Sequence, residues 1–356
     1  MITTFNSLFS GEIFMLLKSI VFGLSMLFTF SVVFPTMLCA QRTHIEEASD
    51  AINHIMRTHL YDKTIVASPE YREIEQRTVA LSHSCTDLDS FIRGYNDAWS
   101  RGPFSHVRLN KSRMPADATA DYLDTMNVPG SSTVLTWNDD IAVLTVHTMM
   151  GRNTITQITN AYRTVTERKA LALIIDLRKN EGGAFAVRPL VGHVISAALE
   201  TGVFLSRSWT DRHSEIPGKD ILGKIPAWDG WSIRTFWKDV QENGLLRIVF
   251  PPIQPLYDGP VYVLTSRKTA SAAELAADAL LSSGRAILIG ETTAGKMLSQ
   301  KMYDVPHGLQ LSLPIADYFS VHSGRIEGRG ITPTVSLPAS KAMDEALERA
   351  RALPKR

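Results

Sequence analysis

At 356 residues, with 44% hydrophobic and 21% charged residues, the chain can bury a large core and hold more than one subdomain. A formal net charge of +1 and the lack of any lysine/arginine block argue against nucleic acid as the main partner, since phosphate binding needs a concentrated basic surface. The two cysteines, Cys39 and Cys85, leave no room for a disulfide framework or a four-cysteine metal site.

Residues 19–40 are uncharged and rich in Leu, Phe, Val and Met, with Lys18 before them. They read as an export signal ending at Leu38-Cys39-Ala40, or as an uncleaved membrane anchor; Met15-Leu-Leu-Lys18 would itself make a compact signal start. Either reading places residues 41–356 outside the cytoplasm, in the periplasm or the extracellular space. Leu38 before Cys39 argues against lipidation, and removal of the segment would leave Cys85 alone.

Residues 41–115 are expected to form a small helical subdomain. Ile45, Ala48, Ile52, Ile55, Met56 and Leu60 share one helical face, and Leu88, Phe91, Ile92, Tyr95 and Trp99 share another. Residues 103–133, with Pro103, Pro115, Pro129 and Gly130, read as loop. Strand and helix then alternate through the remainder of 116–356. Strands are expected at Ile141–His147, Leu171–Leu177, Val261–Thr265, Ala286–Gly290, Leu309–Leu313 and Asp317–Val321. Helices are expected around 155–165, 184–200, 271–283 and 340–353. The continuous apolar run Leu171–Leu177 suits a strand buried on both faces, and the alternation implies an α/β fold with a mainly parallel sheet. Residues 203–257 interrupt it with Trp209, Trp228, Trp231 and Trp237 among five prolines. They read either as an insertion with its own small core or as an aromatic wall over a binding site.

Two motifs 25 residues apart carry the chemistry: Thr-Ala-Ser-Ala-Ala-Glu (269–274) and Gly-Glu-Thr-Thr-Ala-Gly-Lys (290–296). Ser271 with Glu274 makes a capping box for the helix that follows. A serine at a strand-to-helix turn is also placed for nucleophilic attack, with free helix-start N–H groups to hold an oxyanion. Gly290–Lys296 formally matches a phosphate loop, but Met297 stands where Ser or Thr should hold magnesium, and extended chain follows where a helix should open. Lys296 is alternatively a general base, provided burial disfavours its charged form, or a surface lysine in a turn. Asp176–Gly183 (DLRKNEGG) ends a buried strand, where Gly182 and Gly183 could offer N–H groups to an oxyanion or form a plain turn. His106 stands in a loop, where a lone histidine is usually structural.

Together and in this order, Ser105-His106, Asp176–Gly183, Thr265–Glu274 with Gly290–Lys296, and Gly324–Pro333 resemble the C-terminal processing (tail-specific) serine peptidases and their tricorn-core relatives. The resemblance implies a crotonase-like ββα superhelix core. It implies Ser271 as nucleophile, Lys296 as general base and Gln300 as the residue orienting the lysine. Ala272 with Gly182 or Gly183 would form the oxyanion hole, and a peptide or unfolded protein would be cleaved through an acyl-enzyme without metal or cofactor. Two departures stand out. The stretch from Arg108 to Ile141 is too short for a PDZ domain, and Ser105-His106 with Glu327 offers the alternative base and accessory groups of the tricorn type. A binding protein on the same scaffold, or a small ester or amide hydrolase, are the competing functions.

Overall fold

The computed structural model describes residues 42–354, residue 214 excepted. The apolar segment 19–40 and its cysteine lie outside the described residues. No helix among them is long and apolar enough to cross a membrane.

Helix α1 (residues 42–59) buries Ile45, Ala48, Ile52 and Met56. After the short α2 (Lys63–Val66), α3 (Pro69–Ser84) starts where Ser68 Oγ accepts from Tyr71 N–H at 3.2 Å, with Pro69 in the first turn. Helix α4 (Leu88–Ser100) is capped by Asp87, which accepts from Ser90 N–H at 2.8 Å, and turns Phe91, Tyr95 and Trp99 inward. These helices do not close a core of their own. Their apolar faces complete a cluster with Leu109, Leu298, Leu309, Leu311 and Leu313, so the helical region is packed onto the strands of the next layer.

Strand β1 (Arg108–Lys111), helix α5 (Ala116–Thr125) and strand β2 (Thr133–Asn138) fill the stretch before β3 (Ile141–Val146). Then come α6 (Arg152–Glu167), β4 (Ala172–Asp176), α7 (Val187–Gly192), β5 (Leu199–Ser206), α8 (Arg207–Thr210), α9 (Lys219–Leu222), α10 (Ile233–Asn243) and β6 (Leu245–Phe250). The chain closes with β7 (Val261–Thr265), α11 (Ala272–Ser282), β8 (Ala286–Gly290), β9 (Ser299–Val305), β10 (Leu309–Ser320), β11 (Gly324–Arg325), β12 (Val335–Ser336) and α12 (Ala342–Arg351).

One sheet has the order β12-β8-β7-β4-β3-β2 and is parallel except for the β2–β3 pair. Its strands alternate between two cores. Leu173 and Ile175 face α6 and α11, while Ile174 and Ala172 face Ala342, Ala346 and Ala350 of α12. A second six-stranded sheet, built on β1-β10-β5-β6 with β9 and β11 also on β10, is antiparallel throughout.

The structure departs from the sequence-based expectation at several places: residues 103–133 hold β1, α5 and the first residue of β2 rather than loop, and the strands expected at 309–313 and 317–321 are the single strand β10. The helix expected over 184–200 is cut to Val187–Gly192, because Leu199–Ser206 pairs with β10 on one side and β6 on the other, and these ladders outweigh local pattern. Residues 203–257 share their packing between two cores. Their two ends are strands of the antiparallel sheet, and Trp228, Phe236 and Trp237 enter the main core, while Val203, Leu205, Leu222 and Leu245 of the same segment form a small separate cluster.

Candidate active site

The C-terminal ends of the parallel strands β4 and β7 carry two loops that are laced together. Thr269 Oγ1 donates to the Leu177 carbonyl at 2.9 Å, Ser266 Oγ to the Arg178 carbonyl at 2.5 Å, and Ala270 N–H to the Asn180 carbonyl at 3.0 Å. This lacing brings Ser271 to the start of α11 with a φ of 54°, a strained value for a residue with a Cβ, of the kind found at functional turns. Ser271 N–H donates to Glu274 Oε2 at 3.0 Å, while Glu274 N–H donates to the Ser271 carbonyl at 2.8 Å. Both ends of a capping box are thus close, yet the Ser271 hydroxyl makes no properly directed cap hydrogen bond.

The two glycines of the β4 loop differ. Gly182 N–H is committed to Asn180 Oδ1 at 2.9 Å, and a Cβ on Gly182 would lie 2.7 Å from Ser271 Cβ and from the Ala270 carbonyl oxygen. Gly182 therefore serves close approach of the two loops. That leaves Gly183, with φ 143°, to offer an amide, alongside the first-turn N–H of Ala272, which has no intrahelical acceptor.

Glu274 does more than cap. Fully buried, it accepts from Thr293 Oγ1 at 2.5 Å, Gly295 N–H at 2.8 Å and Lys296 N–H at 2.8 Å as well as from Ser271 N–H. One carboxylate thereby fixes the Ser271 turn against the Lys296 loop. Burial pushes its pKa up, and the four donors oppose that rise. The Lys296 side chain is exposed in the cleft, and no hydrogen bond joins Lys296 Nζ or the Gln300 amide to Ser271 among the described residues. The Gln300 carbonyl, in β9, accepts from Trp237 Nε1 at 2.8 Å.

His106 reaches the same cleft from the loop after α4, with φ 67°. Its Nδ1 lies 2.5 Å from Ser105 Oγ, and Ser105 Oγ donates to Glu327 Oε2 at 3.1 Å. Glu327, 5% exposed, also accepts Ser105 N–H at 2.9 Å and Met297 N–H at 2.6 Å, so it ties the His106 loop to the Lys296 loop. With Nδ1 donating to Ser105, Nε2 is the basic nitrogen, and no described residue holds it. Burial lowers the His106 pKa below its usual value; the nearby Glu327 opposes this and the positive charge of Lys296 adds to it. The imidazole is therefore neutral at neutral pH and able to accept a proton.

These groups line one cleft of about 730 Å³ that includes Ser271, Lys296, Gln300, Ser105, His106 and Gly183. Among the described residues there is no group of three or more His, Cys, Asp or Glu side chains arranged to hold a metal ion.

Residues 140–337, more than half of the chain, match the model of peptidase family S41. The chain belongs to that family. It is 28% identical over 186 residues to a carboxyl-terminal-processing protease of Picosynechococcus sp., a match covering 52% of this chain and 36% of the relative. The chain spans about a third of the length of such curated relatives. The fold is similar to that of a solved putative peptidase from Parabacteroides merdae (TM-score 0.58, 15% identity, 87% of this chain and 97% of that one). It is also similar to the photosystem II D1 C-terminal processing protease (TM-score 0.50, 15% identity, 88% and 97%).

Of the residues singled out from sequence in this S41 chain, Ser105, His106, Gly183, Ser271, Ala272, Lys296 and Gln300 line the cleft, while Gly182 and Glu327 are not among its lining and hold its loops from behind. Two roles were not read from sequence. Asn180 is fully buried, and besides holding Gly182 it donates from Nδ2 to the Val146 carbonyl at 3.0 Å, fixing the glycine loop to β3. An Asn two residues before a Gly-Gly pair was the available signal, since Asx side chains close such turns. Glu274 shows in the sequence as a cap only; nothing local reveals that it also reaches residues 293–296.

Proposed function

We propose that this chain is a serine endopeptidase that cleaves peptides or unfolded proteins through an acyl-enzyme. The observation that carries the reading is Ser271, strained at the start of α11 and opening into a cleft that also holds two candidate bases and the amides of Ala272 and Gly183. Ser271 Oγ attacks the scissile carbonyl carbon as its proton passes to the base. The resulting oxyanion lies against the N–H groups of Ala272 and Gly183. The base returns the proton to the leaving amine, the C–N bond breaks, and water then hydrolyses the Ser271 ester by the same route.

Orientation through Ser105 and Glu327 supports His106 as the base, although no hydrogen bond joins its ring to Ser271 among the described residues. Lys296, with Gln300, is the second reading, supported by its lining the same cleft as Ser271 and by the 25-residue interval; it is exposed at rest, so bound substrate would have to supply its desolvation. Turnover of an unfolded protein substrate by Ser271→Ala tests the nucleophile: retained activity sinks the reading.

Residues 1–40 act in this proposal as an export signal or anchor, delivering the helical region 41–115 and the core 116–356 beyond the cytoplasm. Between Arg108 and Ile141 the described chain is strand, helix and strand. Cell fractionation with and without residues 1–40 checks the export step; an unchanged cytoplasmic location for both forms would refute it.

A further inference from the structure

One side of the cleft is an aromatic wall that the chemistry above does not use. Phe185, Phe204, Trp228, Trp231, Phe236 and Trp237 all line it. Four of the rings form a connected cluster of tilted and edge-on contacts: Trp228 to Trp231 at 5.6 Å, Phe185 to each of these at 5.9 Å, and Trp228 to Phe236 edge-on at 5.5 Å. The wall is fixed rather than loosely collapsed. Trp228 Nε1 donates to Asp239 Oδ2 at 2.9 Å and Trp237 Nε1 to the Gln300 carbonyl at 2.8 Å. Trp231 is held at φ 36°, a costly conformation for a bulky residue, with its ring left half-exposed at the cleft and the Arg188 guanidinium 5.1 Å from its centroid.

The wall begins where the oxyanion amides end. Phe185 lies two residues beyond Gly183, and Leu275, also in the cleft, lies one helical turn beyond Ala272. The oxyanion amides, Phe185 and Leu275 thus open into the same cleft as Ser271. At about 730 Å³ the cleft falls within the roughly 300–1,000 Å³ of ordinary ligand sites, ample for a large side chain and its neighbours.

We propose that this wall is the specificity pocket for the residue whose carbonyl Ser271 attacks, and that it selects a large apolar side chain, aromatic first. The proposal rests on Ser271 being the nucleophile. Desolvating a ring against preformed aromatic surface is favourable, and each methylene fitted into such a pocket changes kcat/KM by about 10–200-fold. A charged side chain in the same place would lose its hydration for no partner among the wall residues.

The test uses the full chain and p-nitrophenyl esters in which only the acyl group varies: acetyl, butanoyl and 3-phenylpropanoyl. A fluorophosphonate probe, with mass spectrometry of the Ser271 peptide, reports the nucleophile independently of acyl preference. Expected are labelling of Ser271 and a kcat/KM rising from acetyl to 3-phenylpropanoyl by about 100-fold or more. In Trp231→Ala that ratio should fall at least about tenfold, and in Phe185→Ala by a similar amount; thermal unfolding of each variant reports its folding. Labelled Ser271 with an acyl preference under about threefold overturns the pocket and leaves the peptidase reading standing. Retention of the wild-type ratio by both folded variants overturns the pocket in the same way. No labelling and no ester hydrolysis by the folded wild type would remove both readings together.

Discussion

The two sides of the cleft are built differently. Ser271 and Gly183 stand on loops at the ends of the parallel strands β7 and β4, buried on both faces and laced to each other by Thr269, Ser266 and Asn180. Except for Phe185, which follows the glycine loop after β4, the aromatic wall stands on the antiparallel sheet and the helical excursion between β5 and β6. Reaction geometry needs tight placement, which strand ends under a packed sheet supply. A selectivity surface needs area and shape, which the chain between two antiparallel strands supplies. Changes on the first side should therefore slow every substrate alike, and changes on the second should alter which substrate is preferred.

Ser271→Ala is the strongest test of the first side. It should lower kcat on every peptide and ester by about 10⁴-fold or more, measured against active-site-titrated wild type. Next is the choice of base. His106→Ala is expected to lose about 10²–10⁴ in kcat and Lys296→Ala much less, with the reverse order assigning the proton to the lysine. Small, equal losses in both would refute both assignments.

Asn180→Ala frees the glycine loop and should lower kcat by about 10–100-fold, less than the loss of an oxyanion donor outright, with KM little changed. Asn180→Asp, which keeps the acceptor for Gly182 N–H, should recover part of that loss; a purely structural residue would show KM and unfolding changes without the rescue. Glu274→Gln puts an amide among four donors and is expected to cost about 1–3 kcal/mol in denaturant unfolding, together with a uniform drop in turnover.

The smallest effect is in pH. Because burial holds His106 below 6.5, its neutral, base-competent form persists into mild acid. The acid limb of kcat/KM should therefore lie below pH 6.5, activity being lost as pH falls through the histidine's lowered pKa. Glu327 opposes the lowering, so Glu327→Gln should move the limb to still lower pH. A limb on the alkaline side of neutral would mark a lysine base instead. The same depression has a stability consequence: as pH falls below 6.5 the unfolded chain takes up a proton that buried His106 resists, so this group's contribution to stability declines.

Much of the fold was legible because its signals are local. Apolar runs such as Ala172–Asp176 and Val261–Thr265 can be satisfied only as buried strands, and the helical faces of α1 and α4 follow from 3.6-residue spacing. The antiparallel sheet was less visible. Its long strand β10 reads as two because Pro314 breaks the pattern, and Leu199–Ser206 carries too little alternation to separate strand from helix before its partners are known.

By itself the sequence determined the chemical inventory: a serine at a helix start, a glycine pair at the end of a buried strand, a lysine and a histidine in loops. Only the tertiary structure decided how these divide the work. It committed Gly182 to Asn180 and left Gly183 to offer its amide, and it left Lys296 exposed. It also joined His106 through Ser105 to Glu327, 222 residues further along the chain than Ser105, in one hydrogen-bonded line. Hydrogen bonds between strand-end loops depend on which strands lie side by side, and sheet order is a global solution of packing that no short motif contains.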